Sequence, residues 1–173
     1  PVRIHDFGKI NDFFNLKNYE FHLSYGEVFD GELNPKNYPV NCEYSIHLPD
    51  YIDSSTLIDP FSVDDDIKNK SLLVIDKICD FAKGLQELTQ KPVPMVGSFS
   101  VINSEKVEFY ENIKKLTEDY NDHDCSLLPQ WLPPIAWYFG GSVSLNVFCS
   151  REDTKFLTNF SIPICFDICH YLM

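Results

Sequence analysis

The sequence lacks any long apolar run and several familiar catalytic motifs. None of its 173 residues belongs to a stretch approaching the roughly 18 to 20 apolar residues needed to cross a bilayer. The first residues also lack the apolar core of a signal peptide. We therefore expect a cytoplasmic protein that does not bind membranes. The sequence has no Walker motif, no G-x-S-x-G elbow and no H-E-x-x-H zinc motif. These absences exclude the P-loop nucleotide-binding proteins, the α/β-hydrolases and the zinc proteases that the motifs identify.

Basic residues are scarce. Fourteen Lys and Arg stand against 26 Asp and Glu, and the formal net charge is −12 at pH 7. A surface this acidic repels the phosphate backbone of a nucleic acid, and it lacks the basic side chains that would displace the cations bound to the phosphates. We expect no nucleic-acid partner.

Cysteines are few and scattered. Six occur in the chain, and no C-x-x-C pair is among them. This number and spacing exclude a disulfide-dense scaffold and predict buried, reduced thiols. Cys165 and Cys169 make a poor zinc pair, because no other thiol lies near them in sequence.

Short apolar runs alternate with segments of helical periodicity, the pattern of βα units around a parallel sheet. The clearest helix is predicted between Ile67 and Leu88, with Ser62 and Asp65 as a capping box. A second helix is predicted from Phe109 to Tyr120, with shorter ones near Ile10 and after Arg151. The predicted strands are Val2 to Ile4, Tyr19 to Tyr25, Tyr44 to Leu48, Val93 to Val96, Ser126 to Gln130 and Ile164 to Asp167.

This order of elements predicts an α/β fold. About six βα units fit an incomplete (β/α)8 TIM barrel, although a complete barrel needs about 250 residues. We therefore expect residues 1–173 to be a single barrel domain from a longer chain. A smaller open parallel sheet is the alternative, and it fits this length directly.

Polar residues stand at the ends of the predicted strands, where the chemistry of a parallel barrel gathers. Glu20, His22 and Ser24 share one face of their strand, because side chains alternate along it. His22 is either a satisfied barrel histidine or a site residue. Further strand-end candidates are His47, Ser98, Gln130, Asp167 and His170.

The last strand end and the region after Gln130 carry two further kinds of candidate. Asp167 and His170 are three residues apart and can present a carboxylate and an imidazole to one metal ion or substrate hydroxyl. Trp131 and Trp137 can stack on the apolar face of a sugar ring, or they can pack as a roof over the barrel. Both alternatives remain open.

Two sets of motifs resemble a known family. His47 with Pro49, then a capped long helix after Leu57-Ile58-Asp59, then Asp167-Ile168-Cys169-His170 resemble the xylose-isomerase-like superfamily of sugar isomerases, epimerases and apurinic-site endonucleases. The stretches Phe21-His22-Leu23-Ser24-Tyr25 and Pro129-Gln130 to Gly140-Gly141 look like the barrel domain of multidomain sialic-acid-synthase-type proteins.

The resemblance implies a divalent-metal-assisted isomerase or epimerase acting on a sugar or sugar phosphate in amino-sugar metabolism. The matching residues of this family imply that Asp167 and His170 bind the metal (Mn, Mg, Co or Zn). Alternatively, His170 contacts the substrate. His47 and Gln130 would position hydroxyls, and Glu20 would transfer the proton, unless that carboxylate lies past Met173. His22, Trp131 and Trp137 would complete the sugar site.

Gln130 departs from the family pattern, because the catalytic families have a Glu there. A neutral amide is a weak ligand for a hard cation and cannot act as a base at neutral pH. The alternative function is thus a non-catalytic sugar-binding or scaffolding barrel. An incomplete barrel would expose strand edges, so a homodimer is also expected.

Overall fold

Four short strands rich in apolar residues form a parallel sheet in the order β1-β2-β3-β4. The structure is a computed structural model that describes residues 1–172, and its fold is mixed α/β. Each strand pairs with the next strand of this sheet along the chain. The strands are β1 (Asn18–His22), β2 (Glu43–His47), β3 (Met95–Gly97) and β4 (Leu127–Pro129).

Helices fill most of the connections between the strands. Two short 3-10 helices lie at Ile4–Asp6 and Pro35–Asn37. No helix among residues 1–172 is long and apolar enough to cross a membrane. The α-helices are α1 (Phe7–Phe14), α2 (Tyr25–Phe29), α3 (Asp65–Thr89), α4 (Lys106–Asp122), α5 (Asp153–Phe160) and α6 (Ile168–Tyr171).

The long helix α3 confirms its predicted periodicity, but its cap differs from the prediction. Asp64 is the N-cap, because its side chain accepts hydrogen bonds from the backbone N–H groups of Asp66 and Ile67. Ser62 instead accepts a hydrogen bond from the Asp64 N–H, two residues before the N-cap, so it does not begin the helix. The predicted Ser62 and Asp65 capping box was therefore wrong, while an acidic first turn was right.

The sheet has one apolar face and one polar face. Phe21, Ile46, Met95 and Leu127 are paired in register across the four strands and are all fully buried in the main core. Phe81 of α3 packs on this face, 5.9 Å from the Phe21 ring centroid. The opposite face presents the alternate side chains of the strands, which include Glu20, His22, Ser45 and His47.

The outermost predicted strands shrink to single bridges. Val2 forms a parallel bridge with Phe21, and Cys165 forms one with Gln130. The predicted strand from Ile164 ends early, because Asp167 caps α6. Likewise, β1 stops at His22, because Ser24 starts α2 with a capping box.

The region from Pro129 to Ser144 contains a two-stranded antiparallel hairpin. Its strands are β5 (Ile135–Tyr138) and β6 (Gly141–Ser144). Phe139 and Gly140 form the turn, both at positive φ. Gly suits this conformation because it has no Cβ.

A disulfide joins Cys79 of α3 to Cys125, just before β4. The prediction of reduced thiols was therefore wrong for this pair, which is 46 residues apart in sequence and 5.8 Å apart between Cα atoms. Spacing alone could not identify the pair, because the fold brings the two residues together.

Candidate functional site

A cleft of about 590 Å³ opens at the carboxyl ends of the parallel strands. We call it the strand-end cleft. Side chains reach it from β1, from the segments that follow β2, β3 and β4, from the hairpin and from the start of α6. Its polar and charged lining comprises Glu20, His22, His47, Asp50, Ser98, Gln130, Asp167 and His170, and its apolar wall includes Leu132, Pro133, Ile135 and Trp137.

Gln130 is the centre of a hydrogen-bond network in the buried floor of this cleft. Its Oε1 lies 2.8 Å from Nε2 of His47 and accepts a hydrogen bond from the Ser98 hydroxyl at 3.1 Å. Its Nε2 donates to Oδ2 of Asp167 at 3.1 Å. Both His47 and Gln130 are only 7% exposed. The network therefore connects the ends of β2, β3 and β4 to α6.

This network fixes the orientation of its members. His47 Nδ1 lies 2.7 Å from the Leu48 carbonyl oxygen, so both ring nitrogens face oxygen atoms. Turning the Gln130 amide over would set its oxygen against the Asp167 carboxylate. Gln130 therefore holds the His47 ring in one position. Its predicted role in orienting substrate hydroxyls stays a prediction.

His22 lies beside this network with its ring free. Its ring centroid is 4.4 Å from that of His47. No hydrogen bond within the described residues engages either ring nitrogen, so both are available to a ligand. Burial lowers the pKa of His22 below 6.5, and the neighbouring His47 and Arg3 lower it further. His22 is therefore mainly neutral at pH 7.

Glu20 precedes His22 by two residues and lies on the same face of β1. Its carboxylate lines the cleft. Burial is the main cause of the raised pKa of Cys165, and the negative charge of Glu20 raises that pKa further. Cys165 belongs to the bridge at the opposite edge of the sheet. The cleft lining thus includes residues from both ends of the strand order, Glu20 of β1 and Gln130 of the last bridge.

Asp167 and His170 come together as predicted, but most of their atoms are already engaged. Asp167 Oδ1 accepts from the Cys169 and His170 N–H groups at 2.8 and 3.2 Å, and its Oδ2 accepts from Gln130. His170 Nδ1 lies 3.0 Å from the Trp131 carbonyl oxygen and 3.6 Å from Asp167 Oδ2. One ring nitrogen of His170 remains open to the cleft.

These donors do not fit a divalent metal ion. Across residues 1–172, no three His, Cys, Asp or Glu side chains form a group that could hold one. Asp167 and His170 have no third partner of this kind, and the neutral Gln130 occupies the place between them and His47. The metal that the resemblance implies stays a prediction.

The two tryptophans have different environments. Trp137 of β5 is 72% exposed and lines the cleft, as a sugar-stacking residue must. Trp131 is 3% exposed and packs against Phe166 and Tyr171 outside the cleft lining. The structure favours packing for Trp131, and its predicted contact with substrate finds no support in this position.

Two strand-end residues take roles that the sequence did not identify. Asp50 lines the cleft three residues after the end of β2. Its position just after a predicted strand is the same signal that identified the other candidates, so the sequence could have predicted it. Ser24, expected to share the polar face, instead caps α2.

A second cleft, of about 740 Å³, opens at the amino ends of the same strands. Glu20 lines both clefts, while Glu43, Tyr44 and Lys91 line the amino-end cleft and not the strand-end cleft. It contains no histidine, and Lys91 is paired with Glu43 at 3.2 Å. The strand-end cleft is therefore the better candidate for chemistry.

Comparison with known proteins gives no evidence on the function of this chain. No family model, curated protein or solved structure matches the chain.

Proposed function

We propose that the chain binds a carbohydrate in the strand-end cleft and acts as an isomerase or epimerase of the sugar-isomerase kind. The observation that carries this proposal is the convergence of polar side chains from four successive parallel strands, with Trp137, on one cleft. Hydrogen-bonding groups beside an exposed aromatic ring suit a sugar, which has hydroxyls on its edges and an apolar face.

The same proposal assigns the sheet to a (β/α)8 barrel. Two features support it: the strands are parallel, and they follow one another in chain order. Placement of the polar residues at the carboxyl ends agrees with the location of active sites in such barrels.

The residues available for chemistry are Glu20 and His22. The Glu20 carboxylate takes a proton from the carbon beside the sugar carbonyl, and the electron pair of that C–H bond forms the C=C bond of an enediolate. Neutral His22, with one donor and one acceptor nitrogen, passes a proton between the two oxygens. Glu20 then returns its proton to the neighbouring carbon, which completes an isomerisation; an epimerisation requires a second acid on the opposite face of the enediolate.

Gln130 supports a second candidate function, a non-catalytic sugar-binding domain. A neutral amide holds the centre of the network, where it can orient groups but cannot transfer protons at neutral pH. In this version, the cleft and Trp137 bind the sugar and no proton is exchanged.

Proton exchange with solvent separates the two candidates. The chain is incubated in D2O with N-acetyl-D-mannosamine, N-acetyl-D-glucosamine or D-fructose, and deuterium entry at carbon is followed by ¹H NMR. Catalysis predicts exchange that Glu20→Gln abolishes and the matched control Glu43→Gln, on β2 at the amino end, retains. Saturable binding without exchange would favour the second candidate, and the absence of both would reject a sugar site.

A further inference from the structure

We infer that the strand-end cleft selects sugars that are unphosphorylated and either neutral or amine-bearing, and that it rejects sugar phosphates and sugar acids. This inference rests on the proposed function and defines its substrate class. It follows from the charges that line the cleft and from the groups that are missing there.

Carboxylates supply the side-chain charge of the lining, which also includes the backbone amine of Pro1. Glu20, Asp50 and Asp167 all border the cleft. Within residues 1–172, the Glu20 and Asp50 side chains form no ion pair and accept no hydrogen bond, so a ligand meets their negative charges unneutralised. Carboxylates accept hydrogen bonds from hydroxyl and ammonium groups and repel phosphate.

No Lys or Arg side chain lines the cleft in the described part of the chain. Proteins commonly bind phosphate and carboxylate groups with Arg or Lys. Arg3 is near enough to affect His22, but its guanidinium is already engaged. It donates to the His22 carbonyl oxygen at 2.6 Å and pairs with Glu27 at 3.5 Å.

Helix N-termini, the other common anion sites, are also closed. At α6, the Asp167 carboxylate already accepts hydrogen bonds from the free N–H groups of Cys169 and His170. At α2, Ser24 and Glu27 satisfy one another's backbone N–H groups in a capping box. A phosphate would therefore find acceptors at the cleft where it needs donors.

Calorimetric titration of the chain with three related sugars tests this selectivity at pH 7 and low salt. The probes are D-glucosamine, N-acetyl-D-glucosamine and D-glucosamine 6-phosphate, which share one ring and differ in charge. We expect the two unphosphorylated sugars to bind, with the phosphate ester weaker than glucosamine by about tenfold or more. A phosphate ester that binds as tightly or more tightly overturns the inference but leaves a sugar site standing, whereas no binding by any probe overturns both.

A matched pair of variants assigns the selectivity to the cleft. Asp50→Asn removes one lining charge and should reduce the preference for glucosamine over its 6-phosphate by about threefold or more. Asp80→Asn makes the same charge change on the exposed side of α3 and should leave that preference unchanged. Equal effects of the two variants would mean that net charge alone sets the preference, which contradicts selection by the cleft.

Discussion

At the scale of single residues, neutral His22 is central to the proton-transfer proposal. We expect NMR titration of its ring to give a pKa below 6.5, because burial disfavours the charged form and His47 and Arg3 add to the effect. Replacing His47 with Gln should raise that pKa part of the way, since burial remains. The exposed residue His123, replaced in the same way, is the control. A pKa of 6.5 or above for His22 in the unmodified chain would remove it as a neutral proton carrier.

The same shift makes stability depend on pH. The folded chain holds His22 at a lowered pKa, while the unfolded chain has the ordinary value of 6.5. Neutral His22 therefore contributes its full share of stability above pH 6.5, and that share is lost as the pH falls through the folded value.

Gln130 should matter for stability as well as for the geometry of the site. Gln130→Leu leaves the buried His47 ring and the Ser98 hydroxyl without their shared partner, and each unpaired buried group costs about 1–3 kcal/mol. Ser98→Ala removes only one hydrogen bond and should cost about 0.5–1.5 kcal/mol. Urea unfolding measures both, and a Gln130→Leu chain as stable as the Ser98→Ala chain would mean that the network does not hold the fold together.

At the scale of elements, the structure assigns the start of α3 to Asp64. Asp64→Ala should cost about 1 kcal/mol, because it removes the acceptor for two N–H groups of the first turn. Ser62→Ala should cost less, since Ser62 bonds only to the Asp64 N–H before the helix begins. Thermal unfolding of the two variants compares them directly, and the reverse order would restore the Ser62 and Asp65 box.

The long helices and the four short strands of the sheet could be predicted from the sequence, and the two outermost strands could not. The α3 helix shows its apolar face through many residues from Ile67 to Leu88, and tertiary contacts only reinforce that signal. The last strand depends on pairing between Cys165 and Gln130, a contact between distant parts of the chain. There, capping by Asp167 competes with strand formation and limits the pairing to one bridge.

The candidate site could also be predicted in part. The strand-end positions of five residues predicted that they share one cleft, and the structure places them there: His22, His47, Gln130, Asp167 and His170. It could not show that Asp167 caps a helix or that Trp131 turns away, since both depend on where the chain goes after β4. Residue type and spacing identify a site, and hydrogen-bond partners decide what each residue is free to do.

At the scale of the whole molecule, the Cys79 and Cys125 disulfide ties α3 to the start of β4 across 46 residues. A cross-link of this length should contribute about 2–4 kcal/mol to stability. Cys79→Ala with Cys125→Ala should lower the free energy of unfolding by that amount, whereas Cys169→Ala, at an exposed free thiol, should not. Thiol counting on the denatured, unreduced chain should find four reactive thiols of the six, and six would contradict the bond.

The central claim, that the strand-end cleft binds a carbohydrate, is tested most directly by NMR shift mapping with N-acetyl-D-glucosamine. We expect saturable shifts at the Trp137 indole, the His22 ring and the Gln130 side-chain amide. The buried Trp131 indole should move little. Shifts confined to Glu43, Tyr44 and Lys91 would place the ligand at the amino-end cleft and contradict the account, as would a spectrum that the sugar leaves unchanged.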